Sequence, residues 1–286
     1  PTLSMQIQKV EEEVGYLLFD RLKKPIVATV KGARFIAQAK VLLHEHHKLM
    51  DLSKHQGGEV AGELRLGVIP TIAPYLLPLF IESVSKKFPK LQLTVDELKT
   101  ESIIAMLEED KIDAGILATP LNEPGVKERP IYYEPFYLYV AKDHALNSHK
   151  RIKESDLEGH DMWLLADGHC FRQQIVRYCS LKSGDGVFPN VRFEGGNIDT
   201  LRNIIRKSRG YTLVPALFVE SLSEAEKRDH VRPFENPVPT REVSLIYRRD
   251  QWKSDLLDAL ESNIRKALPA GIGNRDFKKQ EVLAVD

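Results

Sequence analysis

Cysteine is almost absent from this chain: 286 residues contain two, Cys170 and Cys179. That scarcity excludes a small secreted domain stapled by disulfides and points to a reducing cytoplasmic setting. A membrane span needs about 20 consecutive apolar residues, and no run approaches that. The apolar core of an export signal is missing as well. So is any excess of one charge, since 41 Lys and Arg face 41 Asp and Glu. The whole-chain charge therefore selects no partner. The chain opens at Pro1 without an initiator methionine, from which we expect residues ahead of it and an incomplete first domain. What the chain does have is length, enough for two or three units with ample core.

Between the cysteines, Phe171 to Tyr178 lack Gly and Pro, and Phe171, Ile175 and Tyr178 fall at helical spacing. Nine residues of helix give about 13–14 Å of rise and about 900° of rotation, which sets the two sulfurs on opposite faces. A disulfide needs Cα atoms within about 7 Å. Bonding the pair would require melting the helix, which describes a redox switch. The plainer reading is that both are small buried hydrophobes, the usual fate of a free cysteine. Asp167-Gly168-His169 is a turn-and-cap sequence that puts Cys170 near a helix N-terminus. There the dipole favours thiolate, with His169 and Arg172 as further positive charge. His169, Cys170 and Cys179 lack metal-ligand spacing, so no metal and no cofactor are expected.

Along the chain, Thr2 or Ser4 caps a helix that runs to Val14, and Gly15 ends it. Leu17 to Phe19 reads as short helix or extended chain. Arg21 to Pro25 is a basic turn within a segment, Gly15 to Arg34, that carries a net charge of +4. Ile26 and Val27 suit a short strand. Thr29-Val30-Lys31-Gly32 then opens a long helix, Ala33 to about Lys54, whose apolar residues nearly follow a heptad. A hinge is expected at Gln56-Gly57-Gly58. His44, His46 and His47 are read as solvent-facing, and Trp163 and Trp252 as core.

Beyond the hinge, strand and helix alternate. Strands are expected at Glu63 to Ile69, Lys90 to Glu97 and Asp113 to Leu117, with helices at Leu76 to Phe88 and Ser102 to Glu109. Such alternation predicts a mainly parallel, doubly wound sheet. Ligands bind beyond the carboxyl ends of such strands, where Thr71 and Thr100 stand. Each threonine alone reads better as a helix cap; together they are candidate hydroxyl donors. A second lobe repeats the style, with strands at Phe136 to Val140, Met162 to Leu165, Tyr211 to Val214 and Val231 to Phe234. Val243 to Tyr247 and a helix from Lys253 to Leu268 return to the first lobe. From Pro269 the tail is expected to be weakly ordered.

The run from Pro1 to Arg21 resembles the second half of the winged helix-turn-helix of LysR-type regulators. The family pattern reads P-x-L-S-x-Q-I-x-x-L-E-x-x-x-G-x-x-L-F-x-R, and Thr29 to Gly32 matches the T-x-x-G that opens its linker helix. Ile69-Pro70-Thr71, Pro74 to Pro78, and Asp167 to Arg172 with Cys179 resemble the peroxide-sensing activators of that family. The resemblance covers essentially the whole chain. It implies an α/β fold: a partial winged helix-turn-helix (1–32), a linker and dimerisation helix with hinge (33–57), and a two-lobed effector domain of periplasmic-binding-protein type (58–286). Lobe I is expected at about 58–133 and 239–268, lobe II at about 134–238.

By the same resemblance, Thr2, Ser4 and, more weakly, Gln6 reach DNA. Arg21 contacts its backbone, and Lys23 and Lys24 are phosphate partners in the wing. Cys170 matches the peroxidatic cysteine and Cys179 the resolving one, and Thr71, Thr100, His169 and Cys170 match the peroxide pocket. Gln173 stands where an acidic residue is common. The implied partners are promoter DNA, hydrogen peroxide, RNA polymerase, a second copy (dimer or tetramer) and a thiol reductant such as glutaredoxin or thioredoxin, with no membrane. The function implied is a cytoplasmic peroxide-switched transcription regulator and not an enzyme. Alternatives are a LysR-type regulator gated by a small organic effector, a two-cysteine peroxidase, or a transport-binding protein, which would need an export signal.

Overall fold

The computed structural model describes residues 2–54, 60–121, 123–157, 161–166, 170–179, 195–249, 251, 253–273 and 279–285, leaving aside the side chains of 2, 44, 47, 48, 51–54 and 170. The chain divides into two compact units, Pro1–Glu59 and Val60–Asp286. The expected hinge glycines and Trp252 lie outside the described residues.

In the first unit, α1 (Thr2–Val14) is followed by a two-stranded antiparallel wing, β1 (Phe19–Asp20) with β2 (Val27–Ala28), and then α2 (Val30–Lys54). Because α1 already includes Thr2 and Ser4, neither stands outside it as the expected cap. Gly15 takes φ +77 and donates to the carbonyl of Glu11, the C-terminal role that its lack of a Cβ allows. Of the segment read as short helix or extended chain, Leu17 and Leu18 are irregular and Phe19 begins a strand, so the helical alternative does not form. Helix α2 starts three residues before Ala33 because Thr29 caps it: the Thr29 hydroxyl accepts from the N–H of Gly32 at 2.9 Å. At Gly32 a Cβ would sit 1.9 Å from the carbonyl oxygen of Leu18. Only glycine lets the helix pass that close.

The second unit contains β3 (Gly62–Val68), α3 (Ala73–Lys87), β4 (Leu91–Glu97), α4 (Thr100–Glu108), β5 (Ala114–Thr119) and β6 (Val126–Val140). It continues through α5 (Cys170–Tyr178), α6 (Ile198–Lys207), β7 (Tyr211–Pro215), α7 (Ala216–Glu220) and α8 (Glu224–His230). Then follow β8 (Val231–Pro233), β9 (Val238–Arg248), α9 (Ser254–Ala267) and β10 (Gln280–Val282). The strand order is β4-β3-β5-β9-β6-β7. Among the described strands, β3–β4, β3–β5 and β9–β10 pair in parallel, while β5–β9, β9–β6, β6–β7 and β6–β8 are antiparallel. The expectation of a mainly parallel sheet is corrected accordingly. Each antiparallel pair includes β6 or β9, the long strands by which the chain enters the second lobe and returns from it.

Strand β6 builds both lobes. Its residues up to Pro135 pair with β9, and from Phe136 they pair with β7 and β8. Two hydrophobic cores result, one around Leu66, Phe80, Ile116 and Leu260, the other around Phe136, Phe171, Leu213 and Phe218. Met162 makes a single bridge to Tyr211, so the strand expected at Met162 to Leu165 does not form. Trp163 is core, as read, and its indole N–H is satisfied by the Arg209 carbonyl. The tail is the clearest correction: β10 pairs with β9, and Leu283 and Val285 are buried. Its alternating apolar residues reach the second and the first core in turn.

Candidate functional site

Parallel strands β3 and β4 pair Val68 with Glu97 at their carboxyl ends, and Thr71 and Thr100 each come three residues later. Both are buried. Neither caps a helix: the cap positions are Ile72 and Lys99, without side-chain capping bonds. The Thr71 hydroxyl instead accepts from Nη1 of Arg241 at 3.1 Å, and its carbonyl accepts from Nη2 at 3.1 Å.

Arg241 and Glu134 are direct cross-strand partners on β9 and β6, at the place where β6 is about to leave the first sheet. Arg241 is 1% exposed and Glu134 0%. Nε and Nη2 both reach Oε2 of Glu134, at 2.8 and 2.7 Å, while Oε1 accepts from the N–H of Leu217. Every oxygen of the carboxylate is thus engaged, as a buried charge requires. The guanidinium also lies over the Phe171 ring, 5.5 Å from its centre, and Phe136 meets that ring edge-on. Arg241 therefore joins Thr71 of the first lobe to helix α5 of the second. Sequence reading missed both charged residues. No local signal marked them, because β6 and β9 carry several other charged residues (Lys127, Glu128, Arg129, Glu242, Arg248) and usual burial preferences place an arginine or glutamate at the surface.

Helix α5 spans Cys170–Tyr178, and the Cys179 N–H continues it by donating to Ile175 at 2.9 Å. The helix expected between the cysteines is present. Phe171, Gln174, Ile175, Tyr178 and Cys179 are buried, and Gln173 is exposed. Arg172 donates to the Leu165 carbonyl at 3.0 Å. Cys179 carries a free thiol, which burial, with the Glu154 carboxylate as a second cause, pushes up to about 12. While it stays buried at neutral pH, the thiol keeps its proton. The Cys170 side chain and His169 lie outside the described residues.

A second polar network lies on the second lobe. The Tyr75 hydroxyl on α3 donates to Asp199 on α6 at 2.9 Å, which ties lobe to lobe. Arg202 donates to both oxygens of Glu226, which also accepts from the Tyr139 hydroxyl. The Arg202 bonds hold the Glu226 carboxyl down at about 2 against the opposing effect of burial, and Tyr139 adds to them. Two surface grooves along α3, of about 510 and 450 Å³, include Pro78 and Glu82 in their linings and none of the site residues above. No cluster able to hold a metal occurs among the described residues.

In the first unit, Ser4, Gln6, Arg21, Lys23 and Lys24 are exposed, and the Thr2 side chain is not among those described. Arg21 bonds to Oε2 of Glu11 at 3.1 Å, and Lys23 lies 4.0 Å from Asp20. Glu11, missed by sequence reading, is buried and also accepts from the N–H groups of Leu18 and Phe19. Burial raises its pKa, but those N–H groups and Arg21 prevail and leave it lowered. It fixes where the wing begins. His46 is exposed, as read, while the side chains of His44 and His47 are not described.

The LysR substrate binding domain family model matches residues 57–269. The hydrogen peroxide-inducible genes activator of Pectobacterium carotovorum subsp. carotovorum is 36% identical over 268 residues, 93% of this chain and 87% of that protein. The DNA-binding transcriptional dual regulator OxyR of Escherichia coli (strain K12) is 35% identical over 87% of this chain and 80% of its own length. Among solved structures, a full-length OxyR variant from Pseudomonas aeruginosa aligns with a TM-score of 0.75 at 30% identity, covering 93% of this chain and 88% of that one. OxyR from Porphyromonas gingivalis aligns with a TM-score of 0.71 at 33% identity over 78% of this chain and all of its own.

Proposed function

We infer that this chain, which belongs to the LysR-type transcription regulators and within them to the hydrogen peroxide-inducible activators named OxyR, is a cytoplasmic DNA-binding regulator switched by peroxide through a Cys170–Cys179 disulfide. The observation that carries the reading is helix α5 itself. It runs from Cys170 to Tyr178 and ends at a buried, protonated Cys179. Nine residues of helix hold the two Cα atoms about 13 Å apart, beyond any disulfide. Oxidation at Cys170 followed by bonding to Cys179 must therefore unwind α5 and repack the second core, in which Phe171 and Ile175 are buried. A switch needs such a two-state element.

The pocket proposed for peroxide comprises Thr71, Thr100, His169 and Cys170. Peroxide is too small to be held by apolar area, so hydroxyl and imidazole donors must orient it. DNA contact is assigned to Thr2, Ser4 and Gln6 at base edges and to Arg21, Lys23 and Lys24 at phosphates. Subunits pair through α2, whose Leu42, Leu43 and Leu49 are exposed in the single chain. RNA polymerase and a thiol reductant complete the partners. The test is a promoter reporter in cells expressing the protein. Cys170→Ser should abolish induction by peroxide while DNA binding by the reduced form persists; a peroxide response equal to the parent's would sink this reading in favour of a small-effector regulator.

A further inference from the structure

Gln174 lies one turn beyond Cys170 on α5 and is fully buried. Its Nε2 donates to the carbonyl of Leu283 at 2.9 Å. Its Oε1 has no hydrogen-bond partner among the described residues. A buried amide carries a desolvation cost that only its hydrogen bonds offset, and a leucine in its place would strand the buried Leu283 carbonyl. The bond it does make is therefore what its presence must be explained by. Leu283 follows β10, which pairs with β9 through Gln280↔Val238, Glu281↔Pro239 and Val282↔Thr240. The Leu283 N–H extends that pairing by donating to Thr240 at 2.9 Å, and its side chain is buried in the second core. Gln174 thus fastens a helix of nine residues to a strand more than a hundred residues further along the chain. A helix that short does not hold itself together in water.

We propose that Gln174 is the positioning residue of the disulfide-closing step: its bond to Leu283 ties α5 to the C-terminal strand and must break before Cys179 reaches Cys170. The inference rests on the peroxide reading above. In the first step the Cys170 thiolate attacks one oxygen of hydrogen peroxide. The O–O bond breaks, Cys170 becomes a sulfenic acid and hydroxide departs. In the second step the Cys179 sulfur bonds to the Cys170 sulfur as the S–O bond breaks. The Cys179 proton leaves with the hydroxyl as water, so peroxide accepts both electrons. Gln174 acts on the second step alone, because only there does α5 open.

The test follows the two steps separately in the full chain, with dimedone trapping for sulfenic acid and mass spectrometry for disulfide. Gln174→Leu should leave sulfenic acid formation at the parent rate and speed disulfide closure about fivefold, the loss expected for one net hydrogen bond. A chain stopped after Val282, which lacks the acceptor, should show the same acceleration, and combining the two should add nothing. Hydrogen exchange on the parent gives a readout free of substitution: β10 amides should lose protection once the disulfide forms. Unchanged closure in Gln174→Leu, additive acceleration, or a β10 equally protected in the disulfide form would each overturn the proposal. If the parent forms no Cys170–Cys179 disulfide at all, the peroxide reading falls and takes this inference with it.

Discussion

Two arginine–glutamate pairs in the second unit, Arg241–Glu134 and Arg202–Glu226, look alike in composition and differ in what they do. Arg241 and Glu134 are sealed at the crossing of β6 and β9, and between them they bind Thr71, the N–H of Leu217 and the face of Phe171. Arg202 and Glu226 lie on the second lobe, where the arginine keeps 26% of its side chain exposed and Tyr139 is the further partner. The first pair joins three segments of both lobes; the second braces α6 against α8 within one. Removing one member of a buried pair strands a charge out of reach of water, whereas a partly solvated pair can rehydrate. Depth, and not residue type, separates a keystone from a brace.

The largest effect should come from Arg241→Met, which leaves the Glu134 carboxylate buried without its counter-ion and with only the Leu217 N–H still bonded to it among its present partners. The expected loss is on the order of 3–5 kcal/mol, read as a fall in Tm of about 2–4 °C for each kcal/mol. Adding Glu134→Leu should recover part of it, since the stranded charge goes too. A double variant as unstable as the single one would show that packing around Phe171, and not the charge, dominates.

Next come the two threonines, both buried at the ends of β3 and β4. The Thr71 hydroxyl accepts from Arg241, and Thr100 is the first residue of α4. Thr100→Val keeps the volume and deletes the hydroxyl. Cys170 oxidation by peroxide should slow by on the order of 10²–10³, as for loss of one donor aimed at developing charge, with Tm unchanged. A stopped-flow rate close to the parent's would return Thr100 to a purely packing role.

The brace should announce itself through pH. Because the Glu226 carboxyl is held at about 2 in the folded chain, against an ordinary value of 4.5, its contribution is present above about 4.5 and is lost as pH falls toward 2. Urea midpoints measured across that window should drop in the parent and drop less in Glu226→Gln. Equal slopes would mean that Arg202 stabilises nothing through Glu226.

The smallest effect belongs to an ion pair outside both sites. Lys86 and Glu82, side by side on α3 and mostly exposed, form a pair that solvent screens. Lys86→Ala should change stability by less than about 0.5 kcal/mol. A larger loss would mean that the α3 surface is covered in solution.

Much of this molecule is written locally. Gly15 and the Thr29-x-x-Gly32 start of α2 follow from backbone sterics and capping, which act within a few residues. The α5 helix between the cysteines follows from spacing and the lack of Gly and Pro, so the geometry that keeps the two apart is legible in the sequence. The strand ends bearing Thr71 and Thr100 could be read too. What could not be read was every partnership made across the chain. Thr71 looks like a cap until Arg241, 170 residues away, takes its hydroxyl. Gln174 looks like an ordinary helical residue until Leu283, 109 residues on, accepts from it. The tail looks loose because Gly, Asn and charge dominate its composition, yet three residues of strand and two apolar side chains dock it. Hydrophobic period and capping are short-range and leave their mark in the sequence. Burial of a charge or an amide depends on which distant segment arrives beside it, and that is settled only when the lobes close around β6 and β9.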